Sequence, residues 1–188
     1  MPPKIRYGRD EVVAAALQIT RTKGLDALNA RAVAAQLGCS TQPLFREFSS
    51  MEQIRQEVYL AAMQVYDGYM ARSSELAATP YLGCGMAYLL FAREEPKLFE
   101  LLYMRSQTPN ASVKQLQDQR FETIVQVVMQ KFGYDHDKAQ RFHEHIWIYT
   151  HGLAAMLASG YLNFSDDELQ QLLREVFQSM RLLADRTD

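Results

Sequence analysis

Apolar side chains recur along nearly the whole chain at spacings of three and four, and no run alternates with a period of two, so the pattern predicts helices and no sheet. Gly8 to Lys23 places Val13, Ala16, Leu17 and Thr20 on one face and ends at Gly24. Asn29 has a side chain that can cap a helix. The segment after it carries Val33, Ala34 and Leu37 and stops at Gly38, where glycine can take the positive φ that terminates a helix. Ser40 is placed to cap a third helix, with Thr41, Gln42 and Pro43 at its N-terminal end and Leu44, Phe45 and Phe48 as its apolar anchors. Ser50 and Gln53 have the spacing of a capping box and open one long helix from Met51 to about Leu76. Thr79-Pro80, a cap before a proline, opens Tyr81 to Glu94, and Pro96 starts a short helix to about Arg105. Three more follow: Asn110 to Phe132, stopped at Gly133; Asp135 to Ser159, stopped at Gly160; and the capping box Ser165–Glu168 running on to about Ala184. The expectation is an all-α chain.

Two short helices broken at Gly38 have the layout of a helix-turn-helix, whose second helix inserts its N-terminal end into the major groove of DNA. An ordinary helical hairpin would favour Gly and Ser in its turn as well. The helices on either side add to the first reading, because three of them can then share one small core.

As an ordered set, residues from about 8 to 60 resemble the DNA-binding domain of the TetR (tetracycline-repressor-like) family. The resemblance rests on an Ala-rich first helix, Asn-Ala-Arg-Ala-Val-Ala from Asn29, Gly-Cys-Ser from Gly38, Leu-Phe-Arg-Glu-Phe from Leu44 and Ser-Ser-Met-Glu from Ser49. It implies a three-helix DNA-binding domain in residues 1–50, joined to a helical ligand-binding and dimerisation domain in residues 51–188. The function implied is a ligand-responsive transcriptional regulator, a repressor, that binds a palindromic operator in double-stranded DNA as a homodimer. Arg31, Thr41 and Gln42 are then expected to touch bases, since Arg forks onto guanine and Gln onto adenine. Pro43 is expected against a thymine methyl or sugar, Ser40 and Arg46 on phosphates, and Lys4 and Arg6 in an N-terminal arm. The chain departs from the family at Phe45, where Tyr is usual, and at Met51, where Lys is usual; both family residues commonly touch phosphates. Phe45 is expected to fill the same core space. These two departures keep open the alternative of a helical interaction or scaffold protein that has the fold but has lost DNA binding.

Charge changes the picture modestly. Residues 1–50 hold seven Lys and Arg against four acids, a local net of +3, whereas the whole chain carries −2. A small basic end on a mildly acidic protein suits a specific DNA binder better than a nonspecific nucleic-acid coat, although any one of these charges reads equally as solvated surface. The hydrophobic share of 48% excludes general disorder. No apolar run is long enough to cross a membrane, and the N-terminal residues have no apolar core of a secretion signal, so a cytoplasmic protein without membrane partners is expected. Cys39 and Cys84 are isolated and suggest neither zinc nor a disulfide.

The middle helices are rich in Tyr, Phe and Met. Such a stripe is ordinarily core, yet an excess of both Tyr and Met also suits an adaptable cavity. A cavity lined by Tyr66, Tyr88, Phe91, Phe99, Tyr103, Phe121, Trp147 and His151 is expected, taking a hydrophobic or aromatic small molecule. Ala92-Arg-Glu-Glu-Pro96-Lys-Leu-Phe99, with Trp147-Ile-Tyr-Thr-His151-Gly152, resembles one group of TetR-family sensor domains. His143, Trp147 and His151 share a face, but the chain has no HExxH, GxSxG, P-loop or GxGxxG. No enzyme, metal or cofactor is expected. In the last helix Leu169, Leu172, Leu173, Val176, Phe177, Met180 and Leu183 make a wide apolar face, and Gly152, Ala155 and Ser159 make a small-residue face on its neighbour. Either both faces pack inside one protomer, or they mate with a two-fold copy in a four-helix bundle, as the resemblance implies.

Overall fold

The structure is a computed structural model that describes residues 7–105 and 119–186. Among them every regular element is helical. In chain order these are α1 (Arg9–Lys23), α2 (Ala30–Leu37), α3 (Leu44–Glu47), α4 (Met51–Ala71), α5 (Ser73–Leu76), α6 (Pro80–Glu94), α7 (Pro96–Phe99), α8 (Gln119–Phe132), α9 (His136–Ala158) and α10 (Asp166–Asp185). A 3-10 turn lies at Leu25–Ala27 and a π-helical turn at Glu100–Met104. None of these helices is long and apolar enough to cross a membrane. The expected start of the eighth helix at Asn110 lies outside the described residues.

Local chemistry sets the ends. Asn29, Ser50, Asp135 and Ser165 each accept a backbone N–H three residues on, which satisfies one of the donors a helix leaves open at its start. Gly38 ends α2 at φ 68°, ψ 33°, and its N–H and that of Cys39 close back onto the carbonyls of the last turn. The box expected at Ser50 is displaced by one residue. Ser50 accepts from the Gln53 backbone N–H, but the side-chain Oε1 of Gln53 accepts from the backbone N–H of Ser49 at 2.9 Å.

The expected single helix from Met51 to Leu76 is interrupted. α4 ends at Ala71, Arg72 takes φ −93°, ψ 3°, and α5 resumes at Ser73. Two successive serines, which compete for backbone hydrogen bonds, weaken the helix there. The first helix is rotated relative to expectation. Val12, Ala15, Ala16, Ile19 and Thr20 are buried, while Val13 and Leu17 are only partly covered. With alanine on several sides of α1, adjacent stripes differ little in hydrophobicity, so sequence alone sets its rotation poorly.

The chain forms two compact units. The first comprises the described residues up to Arg72 together with Leu90–Arg105. Its core holds Val12, Ala16, Leu28, Val33, Leu44, Phe48, Ile54 and Val58, and further along Tyr66, Phe91 and Phe99. The second comprises Ser73–Leu89 and the described residues after Arg105. Phe121, Val125, Val128, Tyr134, Ala139, Phe142 and Ile146 form its central cluster, against which Tyr81, Trp147 and Phe177 pack. The helix α6 runs through both, with Pro80–Leu89 in the second unit and Leu90–Glu94 in the first.

Candidate nucleic-acid interface

The segment from Asn29 to Phe48 folds as two helices joined by a tight turn, all within the first unit. The Tyr7 hydroxyl donates to the carbonyl of Leu37, closing the end of α2. Beyond Gly38 the chain reverses, and Leu44 and Phe48 go fully inside with Val33 and Leu28. Leaving Leu or Phe of this size exposed instead would forfeit about 1.5–3 kcal/mol each. The register of the turn is therefore fixed by those two side chains.

The third helix differs from expectation in two respects. It spans only Leu44–Glu47, and Ser40 does not cap it. Proline disfavours helical conformation at the residue before it, here Gln42, so propagation starts at Pro43, whose φ −58° and ψ −36° are helical. Thr41 and Gln42 lie in the turn before α3. Phe45 is not a core anchor either. It is 48% exposed, because α3 is anchored at Leu44 and Phe48, and the position next to Leu44 on a helix points about 100° away.

None of the described residues expected to read DNA is buried. Arg31 on α2, Ser40 and Gln42 in the turn and Arg46 on α3 are exposed; Thr41 and Pro43 are partly covered. Among the described residues neither Arg31 nor Arg46 has an ion-pair partner. Lys4 and Arg6 lie outside the described residues. Sequence reasoning missed Arg9, which reaches Glu47, Phe48 and Glu57. It also missed two pairs that tie the end of α1 and the 3-10 turn after it to the segment after α6: Arg21 forks onto the carboxylate of Glu95, and Arg105 onto that of Asp26 at 3.0 and 2.6 Å. Glu95 is only 4% exposed. The Arg105 guanidinium holds the Asp26 carboxyl below its ordinary range, chiefly through that hydrogen bond. No local spacing signals such pairs, since their members are 74 and 79 residues apart.

The eight residues expected to line a cavity fall into two groups. In the first unit Tyr66, Phe91, Phe99 and Tyr103 pack ring to ring. Centroids lie 5.2 Å apart for Tyr66–Phe91, 5.6 Å for Tyr66–Tyr103 and 5.4 Å for Phe99–Tyr103. In the second unit the Tyr88 hydroxyl hydrogen-bonds Nδ1 of His151 at 2.9 Å, and Trp147 stacks on the same imidazole at 5.3 Å. Phe121 lies 4.4 Å from the ring of His143, whose Nδ1 meets the Tyr81 hydroxyl at 2.9 Å. Burial pushes the His143 imidazole down to about 4 and lowers that of His151 as well, so His143 is neutral at pH 7. The second unit also holds a cavity of about 70 Å³ lined by Ala77, Ala78, Leu82, Met86, Gln170, Leu173 and Arg174, none of them among the eight. That is well below the roughly 300–1,000 Å³ of a pocket that encloses a drug-sized ligand.

Comparison with known proteins agrees with this geometry at both ends of the chain. Residues 12–58 match the family described as bacterial regulatory proteins, tetR family, and residues 82–180 match the tetracyclin repressor-like C-terminal domain. The solved structure of a protein assigned to the TetR-family transcriptional regulators of Mesorhizobium loti aligns with a TM-score of 0.60 at 20% identity, covering 93% of this chain and 95% of that one. A transcriptional regulator from Rhodococcus sp. Rha1 aligns with a TM-score of 0.54 at 17% identity, covering 91% and 94%. At these identities the likeness is one of fold. No curated protein matches the chain.

Proposed function

Because the chain belongs to the tetracyclin repressor-like regulators and is therefore a DNA-binding transcriptional regulator, we propose that it acts as a repressor whose grip on a palindromic operator is governed by a small molecule. Residues 1–50 are the DNA-reading part and residues 51–188 the sensing and dimerisation part. The observation that carries the reading is that Arg31 and Arg46 are exposed and have no ion-pair partner among the described residues, as Ser40 and Gln42 are exposed, in a helix-turn-helix whose Leu44 and Phe48 are locked inside. Arg31, Thr41 and Gln42 read base edges, Pro43 packs on a thymine methyl or sugar, and Ser40 and Arg46 hold phosphates. Selection of duplexes from a random library by the purified protein tests this. Arg31→Ala should cost about 1–3 kcal/mol and relax one base position, whereas Arg46→Ala should weaken every sequence alike. An unchanged selected sequence and affinity in both variants would refute the assignment.

Dimerisation is proposed through α9 and α10, with the participating residues redrawn. Leu169 and Leu173 are buried within the protomer, and Phe177 packs on Tyr81, Phe132 and Phe142. What remains outside is a stripe on α9 of Ile148 (51% exposed), Tyr149 and Met156 (40% exposed), with Leu182 and Leu183 on α10. Gly152 lies between Tyr149 and Met156 and has nothing near the position a Cβ would take, which leaves room for a second backbone. A two-fold pairing of these faces makes the four-helix bundle and sets two recognition segments at the spacing of a palindromic site. The effector class proposed is hydrophobic or aromatic, supported by the tyrosine, phenylalanine and histidine content of α4, α6 and α9. A ligand would shift DNA affinity by binding one arrangement of the protein better than the other.

A further inference from the structure

A helix of one turn holds its own shape poorly, since few hydrogen bonds repay the ordering of its backbone. The helix α3 is such a turn, and what fixes its ends fixes how Thr41, Gln42 and Arg46 are presented. Its first residue, Leu44, and the residue after it, Phe48, are buried. Its last residue, Glu47, is held from outside by Arg9, the first residue of α1. The Arg9 Nη1 donates to the Glu47 carbonyl at 3.2 Å, Nη2 pairs with Oε1 of Glu57 on α4, and the guanidinium lies 4.4 Å from the centroid of the Phe48 ring.

We propose that Arg9 is a positioning residue for DNA reading: it clamps the C-terminal end of α3 to α1 and α4 and so sets the angle of the reading turn, and it is not a phosphate ligand. The proposal rests on the DNA-binding reading above and deepens it. Three simultaneous contacts from one planar group suit a guanidinium, whose fork is rigid and whose face stacks on aromatic rings; an ammonium, a compact and strongly hydrated charge on a flexible stem, holds the same three groups less firmly. Paired with a carboxylate and a carbonyl, Arg9 has little charge left to offer DNA. Arg31 and Arg46, with no ion-pair partner among the described residues, stand in contrast. The pair also explains an acid close to a DNA-reading unit, because Glu57 holds Arg9 in place.

The sign of one substitution separates the two roles. Glu57→Gln removes a negative charge, which on electrostatics alone tightens DNA binding; if Glu57 anchors the clamp, the same change weakens reading of the preferred sequence. The experiment measures binding of wild type, Arg9→Met, Arg9→Lys and Glu57→Gln to the duplex that wild type enriches from a random library and to a scrambled duplex of equal composition, across several salt concentrations. Thermal melting confirms that each variant is folded. Positioning predicts that all three variants lose about tenfold on the enriched duplex, the worth of one charge-assisted hydrogen bond, with binding to the scrambled duplex and the salt slope unchanged. Preserved binding in Arg9→Lys, a salt slope reduced by about 1.8 per dimer in Arg9→Met, or tighter binding by Glu57→Gln would each overturn the proposal and make Arg9 a phosphate contact. Equal loss on both duplexes, or no loss on either, would also overturn it. If wild type enriches no duplex at all, the DNA-binding reading fails and this inference with it.

Discussion

Acidification should destabilise this protein through one imidazole before its carboxylates begin to titrate. His143 is buried between Tyr81 and Phe121, with a folded-state pKa near 4 because burial disfavours its charged form, against an ordinary value of 6.5. Between those values the unfolded chain binds a proton that the folded chain refuses, so stability falls as pH falls from about 6.5 and the loss is complete below about 4. From the two pKa values, lowering the pH from 7 to 5 removes about 2 kcal/mol, and the full window about 3 kcal/mol. The assay is urea denaturation at fixed protein concentration at pH 7, 6 and 5. The comparison is His143→Leu with Tyr81→Phe, which removes the titrating group and its hydroxyl partner together and leaves no buried polar atom orphaned. The double variant should keep nearly all of the 2 kcal/mol that wild type loses, apart from the smaller share of His151, which burial moves in the same direction. Equal pH slopes in the two proteins would refute the reasoning and mean that His143 is reached by water.

Other perturbations give equally definite outcomes. A Cβ on Gly83 would lie 2.0 Å from the backbone carbonyl oxygen of Ser73, so Gly83→Ala should cost about 3 kcal/mol by denaturant titration. Gly85→Ala should be nearly neutral, since its Cβ meets only the side chain of Leu173, whose nearer methyl lies at 3.1 Å and need yield only a few tenths of an ångström, and alanine favours the helix. Arg21→Met leaves the Glu95 carboxylate buried without its fork; because Arg21 is itself half-exposed, about 2 kcal/mol is expected rather than the 3–5 of a fully buried pair, and a cycle with Glu95→Met should show coupling of about 1 kcal/mol. Met51→Lys, at the first residue of α4, should tighten DNA binding and steepen its log–log salt slope by about 1.8 per dimer. Ile148→Glu with Met156→Glu should yield folded monomers by light scattering, whereas Leu173→Glu should unfold the protomer, since a buried carboxylate without a partner is costly.

What the sequence revealed and what it hid divide by the range of the interactions involved. Asn29, Ser50, Asp135 and Ser165 cap where the spacing placed them, because a cap is a contract among four neighbouring residues. Gly38 ends α2 for the same reason. Rotation about a helix axis was harder. Phe45 and Leu44 are both large and apolar, and only the rest of the core decides which of them enters it; the same ambiguity misplaced the stripe on α1 and left open whether Leu173 and Phe177 face the protomer's core or a second copy. Pairings at long range were invisible. Nothing near Arg9 announces Glu57, 48 residues on, and nothing near Arg21 announces Glu95. The aromatic positions in the middle helices were legible as a set, but their division between two units follows from where α6 passes from one to the other.

That passage has a bearing on how the protein is made. Neither unit is a continuous stretch of chain: the first needs Leu90–Arg105 and the second needs Ser73–Leu89, which precedes them. A nascent chain that has emerged only as far as Arg72 still lacks Phe91, the ring on which both Tyr66 and Tyr69 pack, and the Glu95 that receives Arg21. The partners that Arg21, Asp26, Tyr66 and Tyr69 find in Leu90–Arg105 are therefore complete only when about residue 105 has left the ribosome, by which time the first pieces of the second unit are already outside. A fragment cut after α4 would keep Leu44 and Phe48 in their core but leave Tyr66, Tyr69 and Arg21 without the partners the later segment brings.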